Sequence, residues 1–439
     1  MADDIPEVPL ALVSNQYLDK KAAQVRQKPM LWEGYERANL LTHNQLELIK
    51  SVDKKSPEEI QSAVQGKEET YASLILYLLK NLSRADTMQY VCVLADDILS
   101  VNDQNARGFH TSEDEDLPYG PFFRILQLND EFTSLVAAKV LTTLATSSPH
   151  PDKANLYELY TWLSQQLATS NINAIDIAVQ ELESLLGVRE YRIPFWTTPN
   201  AAKNLVNGLD KSSTPQMQYQ VIFCLWLLTF EPEIAAEIND KFDIIASLID
   251  IAKSSVKEKV IRISIATLKN LVEKAPAENL AAMLVAKLLP FTENLLTRKW
   301  TDSDILDDLE YLKERLQENF QSLTTFEHYA SEVETGKLEW SPPHKSEVFW
   351  KENAHKLEEN NFQLLRSLAR ILSTSTNTLI LSVAANDIGQ YIKFSSRQGK
   401  RIIQEIGAKQ RIMELMTHND KEVKFYSLQA VQKLMHQAW

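Results

Sequence analysis

Pairs of large apolar side chains three positions apart recur along the first 270 residues, each set in a longer stretch of helical apolar periodicity. The pairs are Ile98/Val101, Leu141/Leu144, Leu185/Val188, Leu227/Phe230 and Leu268/Leu271, and their first members lie 43, 44, 42 and 41 residues apart. A period in the forties over helical sequence predicts armadillo- or HEAT-like repeats. Each repeat is a bundle of two or three helices that buries its apolar face by stacking on its neighbours. The expected fold is all-α, an armadillo/HEAT-like helical-repeat superhelix followed by a smaller C-terminal helical-repeat domain.

Local signals place individual elements. Pro6 and Pro9 mark the first residues as a loose arm, and a helix follows through Asp19 to Gln27. Another opens at Ser56-Pro57-Glu58-Glu59, where Ser56 can cap, Pro57 suits the first helical position and the two acids complement the helix dipole. The array then runs from about Thr70 to Leu296. Its fourth unit is the most apolar, Tyr219 to Phe230, which predicts a helix covered on most sides with Trp226 in the core. Its third is the weakest, ending in Gly187-Val188-Arg189-Glu190-Tyr191-Arg192 before Pro194 and Pro199.

After a helix from Asp304 to about Gln321 the pattern breaks. Thr, Ser and Gly lead into Trp340-Ser341-Pro342-Pro343, and two consecutive prolines stop a helix and favour extended chain. The expected organisation is an arm over 1–15, a helical-repeat domain over 16–321, a linker over 322–345 and a C-terminal helical domain over 346–439. That last domain is read as one long helix from Phe349 to Leu372. Further helices are expected at about Leu379–Phe394, Lys400–Ile406, Gln410–Met416 and Val423–His436.

Composition narrows the function. With 10 Gly and 16 Pro in 439 residues, the chain lacks the glycine loops of an α/β enzyme. No apolar run reaches the ~18 to 20 residues that span a bilayer, and the acidic start Met1-Ala2-Asp3-Asp4 is not expected to be a signal peptide. Cys92 and Cys224 each sit inside an apolar helical run, which predicts buried free thiols and a cytosolic protein. The net charge of −13 argues against nucleic acid as a partner. It is unevenly spread. Lys337 to Trp439 holds 15 Lys+Arg and 10 Asp+Glu, net +5, leaving 31 basic and 49 acidic residues, net −18, in the rest. An acidic body joined to a basic end predicts two surfaces with different partners.

No catalytic constellation, cofactor site or metal site is found. Phe394 stands where a P-loop preceding Gly399-Lys400 would need glycine, and there is no dinucleotide fingerprint, nucleophile elbow or paired-histidine zinc helix. The acids Asp96-Asp97 and Asp307-Asp308 are adjacent and diverge on a helix. The acidic run Glu113 to Asp116 lacks the spaced ligands of a calcium loop. His344 and His355, like His418 and His436, have no third ligand nearby and are read as surface or capping residues. The candidate partner-binding residues lie in the C-terminal domain. They are the basic cluster Lys393, Arg397, Lys400 and Arg401, and the polar loop Ser373, Thr374, Ser375, Thr376, Asn377 and Thr378.

Several strings resemble the H subunit of the vacuolar-type proton-pumping ATPase (V-ATPase). They include Tyr219-Gln220-x-Ile222-Phe223-x-x-Trp226-Leu227-Leu228-x-Phe230 and Ser255-Val256-Lys257-Glu258-Lys259-Val260-x-Arg262. The longest is Leu338-Glu339-Trp340-Ser341-Pro342-x-His344-Lys345-Ser346-Glu347-x-Phe349-Trp350-x-Glu352-Asn353. Glu190-Tyr191-Arg192, Gly399-Lys400-Arg401 and Ala430-Val431-Gln432-Lys433-Leu434-Met435 extend the likeness. The resemblance implies a non-catalytic regulatory subunit of the cytosolic, ATP-hydrolysing sector, peripheral on the cytosolic face of vacuolar and endosomal membranes. It implies a helical-repeat domain that grips a peripheral stalk made of the E and G subunits. It also implies a C-terminal domain that meets the a subunit of the membrane sector in the assembled pump. When the sectors separate, that domain is expected to bridge to the central rotor and silence hydrolysis. An armadillo-type adaptor for trafficking or cargo proteins is the alternative.

Overall fold

The computed structural model describes residues 15–112, 114–149, 155–210, 213–323, 326–395 and 397–436; the side chains of 321–323, 397, 398, 400 and 436 lie outside that description. The described residues are helical with no strand. Compactness divides the chain into two units, Met1–Lys274 and Ala275–Trp439.

In the first unit, α1 (Gln16–Gln27) is capped by Asn15, whose side chain accepts from the Tyr17 and Leu18 amides. The arm expected over 1–15 otherwise falls outside the described residues. The predicted start at Ser56 is a full capping box, in which the Ser56 hydroxyl accepts from the Glu59 amide and the Glu59 carboxylate from the Ser56 amide.

The recurring apolar pairs fall on, or just past the C-terminal end of, five helices: α2 (Ala85–Ser100), α3 (Glu131–Thr146), α4 (Ile172–Gly187), α5 (Pro215–Leu228) and α6 (Glu258–Lys274). Each packs on the next, α2 on α3, α3 on α4, α4 on α5 and α5 on α6. Ile98, Leu141, Leu144, Leu185, Leu227, Leu268 and Leu271 are all buried. Val101, Val188 and Phe230 are half-buried, because they sit past the last regular turn of their helices.

The period also shows in polar contacts between adjacent helices. Lys139 reaches Asp96, 43 positions back, at 2.8 Å. Gln89 donates to Asp130 at 2.8 Å, and Asn270 to the Thr229 hydroxyl at 3.3 Å, each pair 41 apart. Lys259 donates to Gln216 at 2.6 Å, again 43 apart. The nearly constant separation means that α2 meets α3, and α5 meets α6, in nearly the same register, as nearest-neighbour stacking requires.

The weak third repeat has a specific device at its end. After Gly187 the chain turns through Arg189–Tyr191 into a short helix, Arg192–Thr197. The Tyr191 hydroxyl donates to the Ala145 carbonyl at 2.7 Å, while the Tyr160 hydroxyl donates to the Tyr191 carbonyl at 3.0 Å. Arg192 is fully buried. Its Nε donates to the Leu186 carbonyl and one Nη to Glu231, each at 3.0 Å. Within the string Glu190-Tyr191-Arg192, Tyr191 and Arg192 thus tie three repeats together through buried polar contacts.

In the second unit, the segment read as a linker holds α7 (Phe326–Thr335) and a short turn of helix over Pro342–Lys345. Tyr329, Val333 and Leu338 lie in the same core as Phe349 and Trp350. Pro342 does not hold the chain extended. It occupies the first helical position, where no amide donor is needed.

The long helix expected from Phe349 to Leu372 is broken. Helix Glu347–Asn353 and a 3₁₀ turn, Ala354–Glu358, precede α8 (Glu359–Thr374). Asn360, Asn361 and Phe362 take positive φ at the start of α8, and two consecutive asparagines are the side chains best suited to that backbone. Then come α9 (Thr378–Phe394), α10 (Arg397–Glu405), helix Ala408–Leu415 and α11 (Lys421–His436), all close to the expected bounds. Helices α9 and α11 pack closely, since Gly389 faces Ala430; a Cβ on Gly389 would lie 3.1 Å from the Ala430 Cα.

Candidate interaction surfaces

The stacked helices of the first unit carry a band of ionisable groups. Asp96 on α2, Lys139 on α3 and Glu181 on α4 follow one another, with Lys139 held by Asp96. Burial pushes the Glu181 carboxyl up to about 7, against the opposing charge of Lys139. Burial, reinforced by Asp176, pushes Glu183 up to about 8.

Helix α1 packs on α2 and α3. The Arg26 guanidinium pairs with Asp97, the Tyr17 hydroxyl donates to Glu131 at 3.2 Å, and Asn15 donates to Asp176 on α4 at 2.9 Å. A cleft of about 830 Å³ opens between α1, helix Pro57–Val64 and α2. Both cations that line it are engaged, Arg26 by Asp97 and Lys55 by Glu59 at 3.4 Å.

One position further along the stack, α5 presents a row of rings. Tyr219, Phe223, Trp226 and Phe230 follow at centroid distances of 6.2, 5.5 and 4.9 Å. The Lys259 ammonium lies 4.8 Å above Tyr219, and the Arg192 guanidinium 5.5 Å above Phe230. All four rings are half-buried. This corrects the expectation that Trp226 is core. The apolar run is covered by α4 and α6 on its Val221/Cys224/Leu225/Leu228 side, while the ring side stays partly open.

The candidate residues of the second unit do not form one site. Ser373 and Thr374 belong to the last turn of α8, where their hydroxyls donate to the Ala369 and Arg370 carbonyls. Thr378 begins α9, which Asn377 caps by accepting from the Leu379 and Ile380 amides. Only Ser375, Thr376 and Asn377 remain as connector, and their polarity is explained by helix ends.

The basic cluster lies at the other end of α9. Lys393 is some fifteen residues, and therefore about 22 Å, from Thr378. It pairs with Glu347 and lies 5.1 Å above Phe394. Arg401 is exposed, 4.0 Å from Glu405. Arg397 and Lys400 lie on α10, and their side chains fall outside the described residues. Gly399 fits beneath the Tyr391 hydroxyl, where a Cβ would approach to 2.0 Å.

A buried charge cluster in the same unit was not foreseen from the sequence. His344 has no solvent exposure, with Nδ1 2.7 Å from Asp387 Oδ2 and Nε2 2.8 Å from Glu332 Oε2. Asn386 donates to the His344 carbonyl at 2.8 Å, and the Ser341 hydroxyl to Glu332 at 2.9 Å. Burial alone would lower the imidazole pKa, but the two carboxylates, Asp387 foremost, raise it to about 9. With a carboxylate at each ring nitrogen, the arrangement favours the imidazolium form, which can donate from both nitrogens. His344 is not a surface or capping residue. It is the pin joining α7, the Pro342 turn and α9, and it lies within the most distinctive string of the sequence. The only sequence signal was a histidine directly behind two prolines.

Cys92 and Cys224 are buried free thiols, and burial pushes both pKa values upward. Among the described residues no group of three or more His, Cys, Asp or Glu could hold a metal ion, and no helix is long and apolar enough to cross a membrane.

Stacked repeats, a half-open aromatic row and a compact second unit pinned by an ion triad define a helical-repeat protein. Family models for the V-ATPase H subunit, one N-terminal and one C-terminal, match residues 16–316 and 322–439. The V-type proton ATPase H subunit of Drosophila melanogaster is 36% identical over 444 residues, covering 99% of this chain and 93% of that protein. The protein of the same name from Dictyostelium discoideum is 31% identical over 415 residues, 93% of this chain and 92% of that one. A protein from Oryza sativa subsp. japonica, described as a probable H subunit of the V-type proton ATPase, is 32% identical over 438 residues, 94% and 95%. The chain belongs to the V-ATPase H-subunit family.

Proposed function

We propose that this chain is a non-catalytic regulatory subunit of a vacuolar-type proton pump, acting from the cytosolic face of the membrane as a two-state brake. The helical-repeat domain holds the peripheral stalk of E and G subunits. The C-terminal domain chooses between two docking sites. On the cytosolic part of the membrane-sector a subunit it permits ATP hydrolysis coupled to proton transport; on the central rotor of the detached sector it stops hydrolysis. A brake of this kind works only if the two sites differ in affinity for the C-terminal domain, and the populations follow that difference. We take the functional boundary at the start of 322–345; the first family match ends at residue 316 and the second begins at 322, which supports a boundary there.

The observation that carries this reading is the charge asymmetry within the family frame. Residues 337–439 have a net charge of +5 on a chain whose remainder is −18, so the two ends favour different partners. The test is to add the purified chain to the detached cytosolic sector. ATP hydrolysis should fall, and the chain without residues 322–439 should bind the stalk without inhibiting. Undiminished hydrolysis, with cargo proteins alone recovered in a pull-down, would overturn the proposal.

A further inference from the structure

Helix α11 buries Val423, Ser427, Ala430 and Val431. Its opposite side carries Lys421, Phe425, Leu428, Gln432 and Met435, all exposed, at steps of four, three, four and three residues. Those steps are the a/d spacing of a coiled-coil seam. Phe425, Leu428 and Met435 are 54%, 41% and 68% exposed, which is costly for three large apolar side chains in line on one helix. The seam is about 21 Å long, matching some four turns of a facing helix.

The face is also partly preorganised. Phe425 packs edge-on against Tyr426 at 5.1 Å, and Tyr426 lies 4.6 Å from the Trp340 ring. A ring already held in place loses less entropy on binding. The seam itself contains no carboxylate and opens with Lys421; exposed Lys424 flanks it on one side and exposed Glu422 on the other, so the basic edge is the Lys421/Lys424 side. It is narrow and includes Gln432, whereas a membrane-lying helix needs a broad apolar face.

We propose that this face of α11 docks an amphipathic helix of another pump component, one with apolar residues at its own heptad seam and acidic residues flanking it at the Lys421/Lys424 end. The inference rests on the regulatory reading above and specifies a surface for it.

The experiment places a photo-crosslinking amino acid at position 432 of the full chain and assembles it with the purified pump and with the detached cytosolic sector. The expected product, in one or both, is a cross-link to a helical segment with acidic residues beside an apolar heptad. Phe425→Glu/Leu428→Glu should weaken binding of that partner by tenfold or more with an unchanged melting temperature. Lys421→Glu/Lys424→Glu should weaken it in a salt-dependent way. A cross-link only to lipid or to a second copy, no cross-link in a chain that has been incorporated, or wild-type binding by both variants would overturn the assignment while leaving the regulatory reading intact. Failure of the wild-type chain to join either complex would overturn the regulatory reading, and this inference with it.

Discussion

The Nδ1 of His344 stands 2.7 Å from Asp387 Oδ2, and neither side chain is exposed to solvent. Glu332 completes the arrangement from the other side of the ring at 2.8 Å. Because the folded pKa of about 9 exceeds the unfolded value near 6.5, the pair's stabilisation is complete below about pH 6.5 and is lost as pH rises through about 9. Thermal unfolding between pH 6.5 and 9.5 should show a decline in the wild-type chain that is absent from His344→Asn/Asp387→Asn, which removes both members of the pair. Equal alkaline slopes in the two proteins would refute the ion triad.

Removing one partner from the buried pair Arg192–Glu231 leaves a guanidinium without its carboxylate. Glu231→Ala should cost about 3 to 5 kcal/mol in denaturant unfolding, whereas Arg192→Met/Glu231→Leu should cost much less. One Nη of Arg192 already lacks a partner, so the site has little capacity to compensate. A double variant as unstable as Glu231→Ala would contradict this account.

Gly389 sets the approach of α9 and α11. Gly389→Ala puts a methyl group 3.1 Å from both the Cα and Cβ of Ala430, and should destabilise by about 1 to 3 kcal/mol despite the better helix propensity of alanine. Gly389→Leu should separate the helices and abolish the close packing. Calorimetry of both variants tests the order; equal or raised stability in Gly389→Ala would show that the helices can part at no cost.

Neutralising Lys393, Arg397, Lys400 and Arg401 together should weaken inhibition of the detached sector, with the difference shrinking as salt is added. Lys393 already pairs with Glu347, so Lys393→Gln alone should have the smaller effect. Substituting Ser375, Thr376 and Asn377 should change helix-end stability more than inhibition, since Asn377 caps α9. Inhibition measured across ionic strengths separates the two sets. Indifference to the fourfold change at every ionic strength would remove the basic cluster from the docking surface.

The helical class, the spacing of the stack and most helix bounds were legible along the chain, because they follow from short-range periodicity, capping and turn chemistry. Ser56 could be read as a cap from its next three neighbours, and the apolar pairs from a count of positions. Whatever depends on residues far apart emerged only in the folded molecule. His344 meets Glu332, twelve positions back, and Asp387, 43 positions on, only because α7 and α9 pack around the Pro342 turn. Arg192 finds Glu231 39 residues later, across a repeat boundary. Trp226 is half-open because its two neighbouring helices cover one side of α5, which a run of apolar letters cannot disclose. Asn360 to Phe362 break a helix that periodicity would continue, since all three take left-handed backbone there. Local pattern chooses elements at low energetic cost, whereas burial selects which distant charges and rings must meet.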